Sequence, residues 1–439
     1  MIYVFFISIL LLLVLSFILN KKDIISPAFI FTFGFFFQSI WVLLYAKKWE
    51  LSLNINTFCV IVFGILIFII VSKLVSVAFK KINKNDETKQ LEYIHIDRWK
   101  KICLILFSIF ACIYYLNFVV TSVGGSIFDF KNISSYISKY DHIVKFSTET
   151  IRVPFLVGNI KMAVVAIGYW FLYVLINNIV HSKKVSVLDL LIIGISAIMS
   201  ILNGSRTPLF FMLAAGIAYA FMIFNIKQFK TKKFNYKLIV TVGVIGIVFL
   251  GGFTSFAKLL GRNIKTNPVD YLAIYCGAEV KNLDMFLQED SPKNTKYFGT
   301  QTFRPIITTI GRKIGIKNYE DYKLDLPFRH VGKYNLGNVY TTFYPYIYDF
   351  GYIGLVILVA IMAAISQLVY DIAKRNKKPS IPSICSVAYG IVFSCLLLSF
   401  FSNKFYENII TAEFLKQIII WYLCIMFFCK LDLKKIFKK

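Results

Sequence analysis

The feature that most constrains this chain is the recurrence of long apolar runs. They fall near residues 2–19, 25–46, 56–79, 102–121, 159–180, 187–203, 208–225, 238–256, 351–372, 382–402 and 411–429. About 20 apolar residues cross a bilayer as one helix. With no water in the hydrocarbon, each backbone amide of such a run must bond within it. Barrel strands would alternate polar and apolar residues, which these runs do not. The expected fold is an all-α integral membrane protein with about 11 transmembrane helices. Composition agrees, since 58% of the 439 residues are hydrophobic and 16% charged, a balance that a water-soluble fold does not use. No strong repeat or low-complexity linker interrupts the pattern, so residues 1–439 read as one polytopic membrane domain. The first run begins at Met1 without a basic stretch before it or a convincing small-residue cleavage site. It reads as a retained span, with a cleaved signal peptide as the alternative.

Charge sets the expected orientation. The net charge of +26 suggests nucleic acid at first sight, but the lysines and arginines are scattered between spans. Six clusters stand in alternate connections: Lys21 and Lys22, residues 80–101, 181–184, 227–237, 374–378 and the tail 430–439. Together they hold 25 basic residues, against Lys47 and Lys48 in a connection of the opposite parity. Basic short loops mark the cytoplasmic side, so the N-terminus is expected outside and the C-terminus inside. Two long segments then face outward, 122–158 and a large, partly helical loop at 257–350. A reporter active only outside the cytoplasm should work when fused near Asn294 and fail near Lys232 or Lys377. Activity at Lys232 would overturn the orientation.

The outward face carries the candidate chemistry. Arg206 stands in "NGSRTP", at the turn between two spans, and residues 257–340 hold 13 basic against 8 acidic residues. A single cation at such a depth reads as a lipid anchor. Several arginines on one face read better as a site for an anionic headgroup, because the planar guanidinium binds phosphate bidentately and stays charged. The candidates of this kind are Arg206, Arg262, Arg304, Arg312 and Arg329. His330, the only histidine of the large loop, adjoins Arg329 and is a candidate acid or base. Asn338, Tyr340 and Asp349 follow, among tyrosines whose amphipathic rings suit sugar faces and lipid headgroups alike. Asn267 and Pro268 open a helix with apolar residues at helical spacing. Glu279 on that helix reads as a salt-bridge partner for a loop cation, or else as a base.

Several chemistries lack their signatures. There is no GxxxxGK[ST], no HExxH and no paired-carboxylate metal motif. Neither a GxSxG elbow nor a CxxC pair occurs, and of the eight cysteines all but Cys276 lie in apolar runs. No cofactor, metal or nucleic-acid partner is expected.

The stretches "NGSRTPLFF", "GGFTSFAKLLGR", "YLAIYCGAEVKNLDMFL" and "GNVYTTFYPYIYDFGYIG" resemble the Wzy-type oligosaccharide repeat unit polymerases of O-antigen and capsule assembly. The resemblance covers residues 187–371 best, and the N-terminal third only by hydropathy. It implies a multi-pass protein of the bacterial inner (plasma) membrane with its active site on the extracytoplasmic face. It also implies undecaprenyl-diphosphate-linked oligosaccharides as substrates, and a chain-length regulator and flippase as companions. The arginines would hold the departing diphosphate, and a histidine or carboxylate would take the acceptor's proton. An O-antigen ligase and a lipid-linked oligosaccharide flippase or other transporter are the competing readings, with a structural scaffold behind them.

Overall fold

The computed structural model describes residues 1–83, 91–146, 151–182, 185–227, 267–289, 298–316, 319, 322–332, 334–375, 378 and 380–431. In chain order the first helices are α1 (Ile2–Leu19), α2 (Pro27–Tyr45), α3 (Ile55–Ile82), α4 (Arg98–Thr121) and α5 (Ile133–Phe146). Next come α6 (Phe155–Ser182), α7 (Val187–Ile201), α8 (Thr207–Lys227), α9 (Pro268–Cys276), α10 (Ala278–Gln288) and α11 (Arg304–Ile314). A hairpin, β1 (Arg329–Val331) and β2 (Tyr334–Gly337), precedes α12 (Phe343–Ala373), α13 (Ile384–Leu397), α14 (Lys404–Asn408) and α15 (Ala412–Cys424).

Among the described residues, eight helices are long and apolar enough to cross a membrane. Val187–Ile201 and Ile384–Leu397 are apolar but shorter. At 1.5 Å per residue, helices of 15 and 14 residues reach about 20 Å, short of a hydrocarbon core of about 30 Å. The span expected at 238–256 lies outside the described residues. The span expected from residue 351 belongs to a helix that starts at Phe343 and kinks at Gly351, where φ is 66°. The amphipathic helix expected after Asn267 is two helices, α9 and α10, parted at Gly277. A side chain at Gly277 would come within 2.9 Å of Trp41 Cβ, so close packing on α2 requires glycine there.

The chain folds as two compact units. The first comprises Met1–Asp86, Thr266–Asp371 and Val392–Phe414. In it α1, α2 and α3 pack together. Phe31 stacks on Phe68 at 4.2 Å between centroids, and Phe343 at the start of α12 stacks on Phe35 at 5.2 Å. At one end of this unit Lys73 Nζ donates to Leu19 O at 2.5 Å and the Tyr370 hydroxyl donates to Asp23 at 2.6 Å. The other end gathers residues 46–54, the described residues between 267 and 350 and the turn after α13. There the Tyr45 hydroxyl and Lys48 both donate to Asp270 Oδ1, at 2.7 and 3.0 Å, and Thr342 N donates to Ser399 O at 2.9 Å.

The second unit comprises Glu87–Lys265, Ile372–Ile391 and Leu415–Lys439. Here α6 packs on α7 and α8, and α4 on α6 and α7. The buried Tyr219 hydroxyl donates to Val387 O at 2.6 Å, and Trp421 Nε1 to Ala166 O at 2.8 Å. At the end where α4 and α7 begin, Lys101 pairs with buried Asp189 at 2.7 Å. Lys100 donates to the carbonyls of Phe427 and Leu431 at 2.9 and 2.7 Å, closing the end of the last helix. The opposite end is covered by α5, whose Ile137 and Tyr140 join Tyr115, Val119, Met199 and Leu202 in one apolar cluster.

Among the described residues, the connections within each unit gather at its two ends. Lys73, Lys161 and Lys416, the lysines within apolar helices, each have a partner inside the protein. Lys73 holds Leu19 O, Lys416 donates to Asn159 Oδ1 at 3.0 Å, and Lys161 lies 5.0 Å from the Tyr115 ring.

Candidate functional site

Arg206 belongs to the second unit, where it ends the turn from α7 and begins α8. Its carbonyl accepts from Leu209 N at 3.1 Å and Phe210 N at 3.4 Å, so it occupies the cap position of α8. The turn is short because Gly204 takes φ +80°, a left-handed conformation that L side chains rarely adopt. A Cβ at Gly204 would sit 2.5 Å from Asp141 Cβ, so the turn is also pressed against α5. Pro208 falls in the first turn of α8, where a missing amide costs little. Arg206 itself is only 6% exposed. The sequence thus builds a rigid corner and encloses a guanidinium in it.

The remaining described candidates lie in the first unit, at the end that holds the 267–350 segment. The hairpin carries Arg329 and His330, with Arg329 opposite Gly337 and His330 opposite Asn335. Leu336 anchors it by packing with Tyr45, Trp49, Ala273 and Ala278. Asn282 of α10 donates to Val339 O at 2.8 Å, just past the strand. Arg329 forms an ion pair with Glu289, and its Nε donates to the Tyr340 hydroxyl at 3.0 Å. Glu289, and after it Tyr340, hold the guanidinium firmly in its charged form. An incoming anion would meet Arg329 by competing with Glu289, whose side chain is 43% exposed against 16% for Arg329.

Behind Arg329 stands a column of rings. Tyr340, Tyr344 and Tyr348 follow one another at 4.3 and 5.7 Å, with Phe286 4.6 Å from Tyr344. These tyrosines are buried, and so is Tyr346, whereas Tyr352 is half exposed. The rings therefore form an internal support rather than an open wall. Their hydroxyls fix the segment before the hairpin: Tyr340 donates to Pro327 O, Tyr344 to Asp325 O and Tyr348 to Asp325 Oδ2, at 2.7 to 2.9 Å. Asp349 likewise works on the backbone, accepting from Thr302 N at 2.7 Å and Gln301 N at 3.3 Å. Tyr340 and Asp349 thus position the loop around Arg329 from within.

Arg304 and Arg312 mark the two ends of α11. Arg304 is half buried and donates to Tyr322 O at 3.4 Å; burial lowers its affinity for a proton. Arg312 and His330 are exposed, and Asn338 is half buried between the hairpin and Tyr340. Arg262 lies outside the described residues. The structure brings Arg329 and Tyr340 together, leaves Arg304 and Arg312 on a separate helix, and places Arg206 in the other unit. Glu289 and Asp325 were not legible as partners. Nothing in a linear sequence distinguishes one loop carboxylate from another before the helices meet. Among the described residues, no three His, Cys, Asp or Glu side chains converge as a metal site.

Glu279 departs from its expectation as a salt-bridge residue. It is fully buried, and its Oε2 accepts from Gln38 Nε2 of α2 at 3.0 Å. Burial pushes this carboxyl well above the ordinary carboxylate range. A raised folded-state pKa contributes stability that is whole below the unfolded value of about 4.3. That contribution is lost as pH rises through the folded value. Raising the pH from about 5 to about 8 should therefore lower the melting midpoint of wild type relative to Glu279→Gln, which has no such titration. Parallel curves for the two proteins would show that Glu279 does not titrate in this way.

No protein-family model, curated protein or solved structure matches this chain.

Proposed function

We propose that this membrane protein is a polysaccharide polymerase. It transfers a glycan from undecaprenyl diphosphate to the non-reducing end of another lipid-linked repeat unit, on the outer face of the bilayer. The observation that carries the reading is the enclosure of Arg206. An arginine that only anchors a helix to headgroups must reach the lipid-facing surface. Arg206 instead is 6% exposed in a corner built from a left-handed glycine and a helix cap. A rigid cation near a span end suits a diphosphate held at fixed depth.

In the reaction an acceptor hydroxyl oxygen attacks the anomeric carbon of the donor glycan and the bond to the diphosphate breaks. The hydroxyl proton passes to a base, and undecaprenyl diphosphate departs with the bonding pair. Arg206 is assigned to the diphosphate charge. Within the first unit, and taken by itself, Arg329 with Glu289 able to yield to an anion is assigned to an anionic group of a lipid-linked glycan. The hydroxyl proton is assigned to a histidine or carboxylate, the residue types able to act as a base at neutral pH. The donor is already activated, so no nucleotide is required.

Deleting the gene should leave single repeat units on lipid, and restoring it should return polymer. Unattached but full-length polymer would indicate a ligase, and repeat units trapped on the cytoplasmic face would indicate a flippase. Purified enzyme should polymerise without nucleotide and in the presence of a divalent-metal chelator. Loss of activity in chelator with recovery in magnesium would overturn the arginine-based account.

A further inference from the structure

We propose that α11 docks along its apolar edge onto the anionic headgroup region of the membrane, beside the span formed by α12. This does not depend on the glycan-transfer reading. Phe303, Ile306, Ile307, Ile310 and Ile314 fall within one narrow arc of the helix. The stripe begins inside the protein and ends outside it. Phe303 packs on Tyr406 at 5.2 Å and on Phe350 at 6.1 Å, while Ile310 and Ile314 are 42% and 66% exposed. Ile316, just after the helix, is 39% exposed.

Depth and charge select the occupant. Phe350, on which both Phe303 and Phe298 pack, immediately precedes the Gly351 kink from which α12 runs on as an apolar span. The start of α11 is thus fastened at the level where that span begins. Exposed lipid-facing residues follow at once on α12, with Ile353 77% exposed. The helix RPIITTIGRKI carries three cations and no carboxylate, and Arg312 and Lys313 are exposed beside the open end of the stripe. An apolar edge with a cationic border is the pattern of a helix lying in the interface plane. Each basic residue near an anionic surface adds about 1 kcal/mol of attraction. A protein partner would have to cover the same edge while matching its positive border at the mouth of the bilayer.

The test uses full-length protein in nanodiscs holding one copy each, with the photoreactive residue p-benzoylphenylalanine replacing Ile314. In discs of phosphatidylcholine with phosphatidylglycerol, irradiation should attach lipid at Ile314 with a yield comparable to the same probe at Ile353. Replacing Arg312 and Lys313 with glutamine should lower the docked-to-free ratio by up to about 30-fold, the equivalent of two surface charges. In pure phosphatidylcholine discs the same replacements should have little effect. No lipid adduct at Ile314 would overturn the proposal. So would adducts to a second copy in two-copy discs at the expense of lipid, or a lipid yield insensitive to both charge changes.

Discussion

An Arg206→Ala protein, matched to wild type in membrane abundance and melting midpoint, should lose roughly 10²–10³ in polymerisation rate, equivalent to about 2.7–4 kcal/mol of transition-state stabilisation. In the proposed reaction the guanidinium is a fixed donor aimed at charge that develops on the departing diphosphate. Its setting supports that role, because Gly204 at φ +80° and the cap of α8 leave the chain around Arg206 little freedom. Arg206→Lys separates this from a plain charge effect. Lysine keeps the cation but loses the planar fork, and should also be poor. A residue serving only to anchor the helix end would tolerate lysine. Polymer length on gels decides the matter, and wild-type polymer from the lysine variant would remove Arg206 from the site. Gly204 gives an independent check. A side chain there would collide with Asp141 and strain the turn, so Gly204→Ala should lower activity by displacing the Arg206 guanidinium, with the arginine itself unchanged.

The second large effect is expected at Asp284, which joins the large loop to the membrane helices of the first unit. This buried carboxylate accepts from Asn54 N at 2.9 Å, Thr57 Oγ1 at 2.7 Å and Gln288 Nε2 at 2.8 Å. Asn54 in turn caps α3 through Asn56 N, so one carboxylate fixes both a cap and a loop helix. Removing it strands the buried Thr57 hydroxyl and takes the acceptor from Asn54 N and Gln288 Nε2 at the margin of the loop. Hydrogen bonds to a charged group contribute about 1.5–3 kcal/mol each, so Asp284→Ala should destabilise the loop by about 3 kcal/mol or more. The expected signs are a lower melting midpoint and faster proteolysis within residues 267–289, with Asp284→Asn intermediate. Because Asn282 and Leu336 seat the hairpin on this helix, the Arg329 end of the unit should loosen as well. Unchanged proteolysis and midpoint in the alanine variant would show that the loop is held by its apolar contacts alone.

Helices were legible in the sequence because helix formation is local. An amide bonds four residues back, and a run of apolar side chains declares itself without reference to any other part of the chain. Apolar runs from Ile2 to Lys430 accordingly reappear as helices wherever residues are described. Caps were legible for the same reason: Asn267 accepts from Val269 N at 2.9 Å, where a start signal was read. What a helix-by-helix reading cannot supply is which polar groups meet. Tyr45 and Asp270 bond across 225 residues, and Gln38 finds Glu279 across 241. Such pairs depend on where helices cross, which is set by close packing at positions such as Gly277 against Trp41.

The sequence by itself determined that this is a helical membrane protein with its arginines gathered in particular connections. Tertiary structure decided what each arginine touches. It gave Arg329 to Glu289 and Tyr340, turned the tyrosines of residues 340–348 inward as a support, and enclosed Arg206 behind Gly204. The physical reason is that charge and hydropathy belong to residues one at a time. Burial and hydrogen bonding belong to the space that distant segments close around them.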